Sequence, residues 1–200
     1  FAPISLLAAV PNIISVTPAL PVNSLAELVA LAKAKPGQLS YASSGNGTST
    51  HLAAELFKAA AGIDIAHIPY KGSAPAVTDV IAGQVPVLVD SVASSTAQVK
   101  AGKLKALATT SPKRLLVLPE LPTVAESGYP GFQSTAWVGL LAPAGTPKAI
   151  VEQINAAVLK VMALPETRER MAGFGAEITT STPDEFAAHI RSEMAKLGKV

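Results

Sequence analysis

The chain has 200 residues, of which 49% are hydrophobic and only 4% aromatic, so it can form a packed globular core built mainly from aliphatic side chains. Sixteen Lys and Arg against fourteen Asp and Glu give a net charge of +2 without a long run of one sign, which argues against a nucleic-acid surface. The sequence has no cysteine, which excludes disulfides, zinc thiolate sites and cysteine nucleophiles.

The N-terminal part opens with a strand signal followed by a helix signal. "FAPISLLAAV" is predicted to be a strand rather than a signal peptide, because no basic stretch precedes it and no small-residue cleavage site follows it. No stretch reaches the roughly 18 to 20 uninterrupted apolar residues that a membrane helix needs. "NSLAELVALAKAKPG" is predicted to be a helix, with Ser24 and Glu27 as a capping box and Pro36 and Gly37 as its stop.

Four βα repeats occupy the chain up to "LKALATT". After the strand "LSYA", Leu52, Leu56 and Phe57 are predicted to form the buried stripe of a helix that Gly62 closes. The remaining predicted elements are the strand "IDIAHIP", a helix over about 74–82, the strand "VPVLVD", a helix over about 91–101 and the strand "LKALATT". This alternation predicts an α/β fold with a mostly parallel sheet and helices on both of its faces.

The last third of the chain departs from this pattern. The stretch from Ser111 to Phe132 has four prolines, two glycines and one short helical segment, and is predicted to be a connector. The strand "STAWVGLLAPAGTP" follows, and then helices near 147–163, 165–173 and 183–198, with "AEITT" as the last strand. Helices outnumber strands here, so this part is expected to pack on a sheet supplied elsewhere.

A polar, glycine-rich loop joins the strand "LSYA" to the next helix. Such a turn presents unpaired backbone N–H groups at the positive end of the helix dipole, where anions bind. Glycine supplies positive φ and close backbone approach, and hydroxyl groups supply further hydrogen bonds. The candidate anion-binding residues are Ser43, Ser44, Gly45, Asn46, Gly47, Thr48 and Ser49. An N-cap turn without a ligand is the alternative.

The nucleotide-binding signatures do not fit this loop. A P-loop needs a Lys before its Ser or Thr, and this loop has none. Thr50 stands where the dinucleotide fingerprint needs its third glycine, and Asp64 begins its strand when a ribose contact would require it at the strand's end. NAD and ATP are therefore not expected, and no cofactor is predicted.

Two further loops follow strands of the same predicted sheet, at the edge where ligands of open α/β sheets bind. In "YKGSAP", Tyr70 offers an aromatic wall with a hydroxyl, Lys71 a cation, and Gly72 a second helix-opening turn. Asp90 ends "VPVLVD" and brings a carboxylate toward the same crevice. The alternatives are a solvated Lys71 and an Asp90 that caps the next helix.

Catalytic and metal sites have weaker support. His51 and Glu55 lie four residues apart on a helix, but this pair lacks a third ligand, and no metal is predicted. No "GxSxG" elbow occurs, and Ser49 lies too close to His51 in sequence to suggest a triad. His67 is expected to be a hydrogen-bonded core residue and His189 to face solvent, whereas Trp137 is either core filler or an aromatic wall.

Five segments together resemble the periplasmic solute-binding proteins of tripartite tricarboxylate transporters, the Bug-type receptors. They are "YASSGNGTSTHLAAELF", "HIPYKGSAPAVTDVIAGQV", "AGKLKALATTSPKR", "LPTVAESGYPGF" and "WVGLLAPAGTP". The resemblance covers essentially the whole chain. It implies a periplasmic-binding-protein-like (type II) fold, in which two α/β lobes joined by crossing strands close on a small carboxylate.

The resemblance also implies how the chain is divided. Residues 8–125 would form the second ligand-binding lobe, and residues 1–7 and 126–200 the hinge strands and the remnant of the first lobe. Members of the family carry roughly a hundred further residues before a segment like "FAPISLLA", so the first lobe is expected to be incomplete here. Self-association through that incomplete lobe is a further expectation.

The function implied is that of a periplasmic receptor, with a small carboxylate and membrane transporter subunits as partners, and without catalysis. In it the loop from Ser43 to Ser49 would cradle the carboxylate, Tyr70, Lys71 and Gly72 would line the wall, and Asp90 would approach from the next strand. The alternative is an α/β enzyme that acts on a small carboxylic acid, with His51 or Asp90 as its base.

Overall fold

A computed structural model describes residues 1–198 of the protein. The strands are β1 Ala2–Val16, β2 Ser40–Ser43, β3 Ala66–Pro69, β4 Val87–Ser91, β5 Lys105–Thr109, β6 Thr135–Ala142 and β7 Glu177–Ile178. The helices are α1 Leu25–Ala34, α2 Ser49–Ala61, α3 Ser73–Ile81, α4 Val92–Lys100, α5 Lys148–Ala163, α6 Pro165–Gly173 and α7 Pro183–Leu197. The predicted order of elements is confirmed, except that the connector over residues 111–132 contains turns and no helix.

The chain divides into two compact units. The central unit is Pro11–Ala136, and the terminal unit combines Phe1–Val10 with the chain from Trp137 onward. Strand β1 contributes residues to both units. The lobe boundaries implied by the resemblance, at residues 8 and 125, stay a prediction.

The central unit is built on a sheet with the strand order β3-β2-β4-β1-β5. Strand β2 is parallel to both β3 and β4, whereas β1 is antiparallel to β4 and β5. Four of these five strands therefore run in one direction, and β1 runs against them. The predicted strand "FAPISLLAAV" continues to Val16, and its second half fills a position between β4 and β5 that the sequence pattern did not indicate.

Helix α2 packs on the sheet through a face of small residues. The buried positions are Thr50, Ala53, Ala54, Phe57 and Ala61, which recur at helical spacing. Of the predicted stripe only Phe57 is buried, because Leu52 and Leu56 lie at the half-buried margin of that face. The alanines allow the helix axis to approach the sheet closely, and this moves the larger side chains to the margin.

The predicted helix ends in the central unit are found with one change. The Ser24 hydroxyl accepts a hydrogen bond from the Glu27 N–H. The Glu27 carboxylate, however, accepts a hydrogen bond from the N–H of Asn23 rather than from that of Ser24. Gly62 closes α2 in the left-handed conformation, with φ of 60° and ψ of 47°.

In the terminal unit, β1 pairs antiparallel with β7 and also pairs with β6. The side chain of Phe186 on α7 is fully buried and meets the Trp137 ring edge to face at 5.7 Å between centroids, so Trp137 is a packing residue. The expectation that His189 faces solvent is wrong, because its ring packs on Trp137 at 5.2 Å and its Nε2 atom is buried. Among residues 1–198, no helix combines the length and the apolar character that crossing a membrane requires.

Candidate functional site

The ends of three parallel strands meet at one edge of the central sheet. Strands β2, β3 and β4 end at Ser43, Pro69 and Ser91, and their shared direction places these ends together. Two backbone hydrogen bonds then join the loops that follow β2 and β3. Tyr70 N–H donates to Ser43 O at 3.1 Å, and Gly72 N–H donates to Ser44 O at 3.0 Å. The sheet therefore brings together the first two loops that the sequence singled out.

The loop from Ser43 to Ser49, called here the β2–α2 loop, is held by its own hydroxyl groups. Thr48 is the N-cap of α2, and its Oγ1 donates to Gly45 O at 2.7 Å and accepts the N–H of His51. The buried Thr50 Oγ1 accepts the N–H of Ser44 at 3.0 Å and lies within 3 Å of two further hydroxyl oxygens. These bonds fix the conformation of the loop.

Most backbone N–H groups of the loop are used internally. Those of Ser44, Gly45, Gly47, Thr48 and His51 donate to Thr50 Oγ1, Ser43 Oγ, His51 Nδ1, Gly45 O and Thr48 Oγ1 respectively. Among the described residues, the N–H groups of Asn46, Ser49 and Thr50 have no hydrogen-bond partner. Ser49 and Thr50 form the first turn of α2, so two unpaired donors point out of the positive end of that helix.

The two glycines of this loop have the predicted backbone conformation. Gly45 has a φ of +136° and Gly47 a φ of +71°, and residues with a side chain rarely adopt either value. Gly45 has a second constraint, since a Cβ atom at that position would lie 2.9 Å from the carbonyl oxygen of Tyr70. A Cβ on Gly47 would meet no atom within 4 Å, so only the backbone angle favours glycine there.

The loop after β3 is bound into the protein more tightly than its sequence suggested. The Tyr70 hydroxyl donates to Asp79 Oδ2 on α3 at 2.7 Å, and burial together with this bond raises the pKa of Tyr70 to about 12. The Tyr70 ring packs against a buried cluster that includes Ala42 and Val77, and its hydroxyl is already used, so its role as an aromatic wall stays a prediction. Lys71 is exposed, and Gly72 precedes α3 with a φ of +108°.

Asp90 is a buried acceptor shared by three serines. Asp90 is 1% exposed. Its carboxylate accepts hydrogen bonds from Ser73 Oγ at 2.6 Å, Ser94 Oγ at 2.6 Å and Ser95 Oγ at 3.2 Å. The alternative assignment of Asp90 as a helix cap is wrong, because Ser91 caps α4. Asp90 links the first turns of α3 and α4, and with them the second and third of the predicted loops.

Three aromatic rings stack beside the β2–α2 loop. His67 lies between Tyr41, at a centroid distance of 4.8 Å, and His51, at 4.1 Å. Its Nε2 is 2.6 Å from Ser43 Oγ, so the predicted hydrogen bond exists. The expected core position is wrong, because His67 lies on the edge strand β3 and is only half-buried. Burial and the nearby His51 ring lower the pKa of His67.

The carboxylate of Glu55 belongs to a hydrogen-bonded cluster rather than to a metal site. It accepts the Tyr41 hydroxyl at 2.6 Å and the Lys58 ammonium at 2.8 Å. Burial alone would raise the pKa of Glu55, but these two bonds outweigh it and lower the pKa. No group of three metal-ligating side chains is present within residues 1–198.

Asn12 also lies at this edge, although no local sequence pattern indicates it. It follows the predicted first strand, is fully buried on β1, and donates from Nδ2 to the carbonyl oxygen of Ser49 at 3.3 Å. Its backbone N–H donates to Thr110 Oγ1, and its carbonyl accepts the N–H of Thr110. Asn12 Oδ1 has no hydrogen-bond partner among the described residues. The position of Asn12 depends on β1 entering the central sheet, so only the sheet topology could have indicated it.

A half-open cavity of about 530 Å³ lies elsewhere in the central unit. It is lined by the first turn of α1, the first half of β5 and the connector, and it contains none of the predicted site residues. Two glutamates, Glu120 and Glu126, contribute to its wall. This cavity is therefore not the site that the sequence predicted.

The whole chain, residues 1–200, matches the family model described as tripartite tricarboxylate transporter family receptor. The chain belongs to this receptor family. It is 39% identical over 201 residues to a Pseudomonas protein in the tcbD-tcbE intergenic region, covering 100% of the chain and 60% of that protein. It is 34% identical to BugT of Bordetella pertussis over 97% of the chain and 60% of BugT. The chain thus spans about 60% of the length of these curated relatives.

Solved structures of related receptors confirm the fold class predicted from the sequence, a type II periplasmic-binding-protein-like α/β fold. An R. palustris protein solved with adipate superposes with a TM-score of 0.89 at 38% identity, covering 100% of this chain and 67% of that one. The periplasmic binding protein BugD gives a TM-score of 0.85 at 37% identity, with 100% and 67% coverage. MatC from Rhodopseudomonas palustris, solved with bound malate, gives 0.86 at 30% identity, with 98% and 68% coverage.

Proposed function

We propose that this chain is the carboxylate-binding part of a periplasmic receptor that delivers its ligand to a membrane transporter of the tripartite tricarboxylate type. One observation carries this proposal. The N–H groups of Ser49 and Thr50, in the first turn of helix α2, are unpaired, whereas most other backbone N–H groups of the loop donate to partners inside it. Such a helix end binds a carboxylate without any arginine.

The family relationship supports the same ligand class. Two related receptors were solved with dicarboxylates, one with adipate and one with bound malate. The periplasmic location and the transporter subunits as partners follow from the family, and both are part of the proposal.

The candidate residues take different roles in this proposal. Ser49 and Thr50, with Asn46 from the exposed tip, donate N–H groups to the carboxylate. Lys71 is exposed and attracts the anion over a longer range. The hydroxyls of Tyr70 and Thr48 and the carboxylate of Asp90 have partners inside the protein, so these three residues hold the loops in place. The Ser43 and Ser44 hydroxyls, with Gly45, Gly47 and Gly72, shape the same loops.

Replacing Ser49 tests the helix end directly. Ser49 is the first residue of α2, a position that tolerates proline, and Thr48 before it is extended, as a residue before proline should be. Ser49→Pro therefore deletes one proposed donor and leaves the helix intact. Ser49→Ala keeps that N–H and removes only the hydroxyl, and it is the matched control.

The measurement is calorimetric titration of both variants with succinate, malate, glutarate and adipate, using the protein at the full length that its gene encodes. We expect Ser49→Pro to lower affinity at least about tenfold, and Ser49→Ala to change it less. Equal affinities for Ser49→Pro and the unmodified protein would contradict the anion site at α2.

Catalysis is not part of the proposal, because neither candidate base is available in this arrangement. His51 Nδ1 accepts the N–H of Gly47 at 3.2 Å, and the Asp90 oxygens are occupied by serine hydroxyls. A bound acid should be recovered chemically unchanged by mass spectrometry after incubation with the protein and denaturation. Conversion of the acid, and its loss in a His51→Ala variant, would support the enzymatic alternative.

We also propose that the apolar surface of the terminal unit is covered by another protein surface. Large apolar side chains are exposed along β6 and helices α5 to α7, which is unusual for a surface that faces water alone. The exposed residues are Val138, Leu140, Leu141, Ile150, Leu159, Val161, Leu164, Phe174 and Met194. The partner that we propose is a second copy of this chain.

A further inference from the structure

His51 makes a direct contact with the β2–α2 loop. Its Nδ1 accepts the N–H of Gly47 at 3.2 Å, and because Nδ1 is the acceptor, the neutral ring carries its proton on Nε2. The bond is exposed to solvent, so the ring can exchange protons with water. His51 is also the third residue of α2, directly after Ser49 and Thr50 with their unpaired N–H groups. The imidazole therefore touches the loop and belongs to the same helical turn as the proposed carboxylate donors.

Uptake of a proton by His51 changes this contact in a defined way. An imidazolium carries a hydrogen on both nitrogens, so Nδ1 can no longer accept the Gly47 N–H. That N–H is released, and a positive charge appears in the first turn of α2, where the helix dipole disfavours it. A carboxylate bound at the same helix end offsets this cost, because it supplies the opposite charge. Imidazoles take up protons between pH 5 and 8, so the change falls in an ordinary pH range.

The charged groups around His51 leave room for such a counter-charge. The His67 ring of β3 stacks on His51 at 4.1 Å, and the Tyr41 ring of β2 lies on the other side of His67. On α2 itself, Glu55 follows one turn later, but its carboxylate is bonded to the Lys58 ammonium at 2.8 Å. In the part of the chain that the structure describes, no carboxylate forms an ion pair with His51.

His51 rather than His67 is the ring that carries the proton. Two imidazolium rings stacked at 4.1 Å would repel each other, so the pair takes up one proton before it takes up two. Burial, together with the neighbouring His51, lowers the pKa of His67. His67 therefore becomes charged only in stronger acid.

We propose that His51 is a positioning residue that couples carboxylate binding to proton uptake. Neutral His51 holds the Gly47 N–H, whereas protonated His51 releases it and adds a positive charge at the start of α2. This inference rests on the proposed carboxylate-receptor function and adds its regulation by pH. The coupling is reciprocal, because a ligand that prefers the protonated protein also strengthens proton binding by the same factor. Lysine stays charged throughout this range, so the exposed Lys71 attracts the anion without adding to the pH dependence.

Calorimetry counts the protons on the unmodified protein, expressed at the full length that its gene encodes. Succinate, L-malate, glutarate and adipate are titrated at pH 6.5 in buffers that differ in ionisation enthalpy, and the tightest binder is then titrated at pH 8.0 and 6.0. We expect at least about 0.2 proton to be taken up per ligand at pH 6.5. Affinity should rise about threefold or more from pH 8.0 to 6.0.

Two variants assign the proton to a residue. His51→Asn keeps an acceptor oxygen near the position of Nδ1 but cannot take up a proton, so the uptake should disappear. Any proton that the ligand itself gains or loses is the same in both proteins and cancels in the comparison. His67→Phe is the control and should keep the uptake. A merely structural role of His51 would change the affinity by the same factor at every pH. Circular dichroism at both pH values establishes that each variant is folded.

NMR reads the same proton without a variant. In the unmodified protein with ¹⁵N-labelled histidine, the His51 ring should titrate at a higher pH with the ligand than without it.

The outcomes separate this inference from the proposed function. Binding without proton uptake, at an affinity that does not rise in weak acid, overturns the coupling and leaves the receptor function standing. Uptake that survives in His51→Asn or disappears in His67→Phe overturns the assignment to His51. Binding of none of the four acids overturns the proposed function and this inference with it.

Discussion

Gly45 and the carbonyl oxygen of Tyr70 approach each other so closely that a Cβ atom on Gly45 would lie 2.9 Å from that oxygen. The contact joins the β2–α2 loop to the loop after β3, beside the two backbone hydrogen bonds that link them. A side chain at this position must therefore push the two loops apart.

Gly45→Ala should destabilise the protein and weaken carboxylate binding, because it adds a backbone clash to an unfavourable φ. We expect a loss of about 2 to 4 kcal/mol in the free energy of unfolding. Gly47→Ala meets no atom and carries only the cost of the left-handed conformation, about 1 to 2 kcal/mol. Urea unfolding and ligand titration of both variants check this order. A Gly45→Ala protein as stable as Gly47→Ala would contradict it.

Lys71→Met should have a small, salt-dependent effect on affinity. The ammonium group is exposed, and its attraction for an anion is screened within about 10 Å at 0.1 M salt. We expect a loss below about 1 kcal/mol at low salt and no measurable loss at 1 M salt. Titration of the unmodified protein and the variant at both salt concentrations measures it. Abolished binding at either concentration would mean that the lysine, rather than the helix end, holds the carboxylate.

Asp90→Ala should cost stability because three serine hydroxyls lose their shared buried acceptor. We expect about 2 to 3 kcal/mol in urea unfolding, and less for Asp90→Asn, which keeps one acceptor oxygen. Since Asp90 positions helices α3 and α4, Asp90→Asn should change ligand affinity less than about threefold. A large change in affinity at unchanged stability would instead place Asp90 in contact with the ligand.

Local sequence signals predicted the frame of this site well. The Thr48 N-cap region, the left-handed Gly45 and Gly47, and the Gly62 helix stop all follow from rules that act within a few residues. The parallel strands that bring the loops to one edge followed from the βα alternation. These features are predictable because each depends on the chain's own near neighbours.

The partners of the site's side chains could not be predicted, because they lie on other helices and strands and depend on how these elements pack together. The Tyr70 hydroxyl is taken by Asp79, and Asp90 is shared with Ser73 on another helix. Asn12 enters the site only because β1 inserts antiparallel between β4 and β5. No local pattern in "PNIIS" distinguishes that insertion from an ordinary strand.

The exposed apolar residues of the terminal unit should make the chain self-associate as the protein concentration rises. The 200-residue chain should sediment as a dimer or larger oligomer at high micromolar concentration, because covering exposed apolar side chains lowers the free energy. Replacing Leu140, Val161 and Phe174 with Ser should return it to a monomer. Replacing Leu116, which is exposed in the central unit, should not. A monomer at every concentration would contradict the proposed self-association.

We expect the free energy of unfolding to fall in weak acid because of the stacked His67. Its ring faces His51 and Tyr41, and the charges of Glu55 and Lys58 also act on it. The pKa of His67 is lowered in the folded protein, so below about pH 6.5 the unfolded chain binds this proton more readily than the folded one. Stability therefore falls as the pH drops from about 6.5 through the lowered pKa, and this contribution is constant below that value.

Urea unfolding of the unmodified protein and of His67→Phe at pH 7.5 and 5.0 measures this contribution. His67→Phe keeps an aromatic ring against Tyr41 and His51 but cannot take up a proton. It also loses the bond to Ser43, so its stability at pH 7.5 is expected to be lower. The decisive quantity is the change between the two pH values, which should be smaller in His67→Phe. Equal changes in both proteins would assign the acid sensitivity to other groups and leave His67 without a role in it.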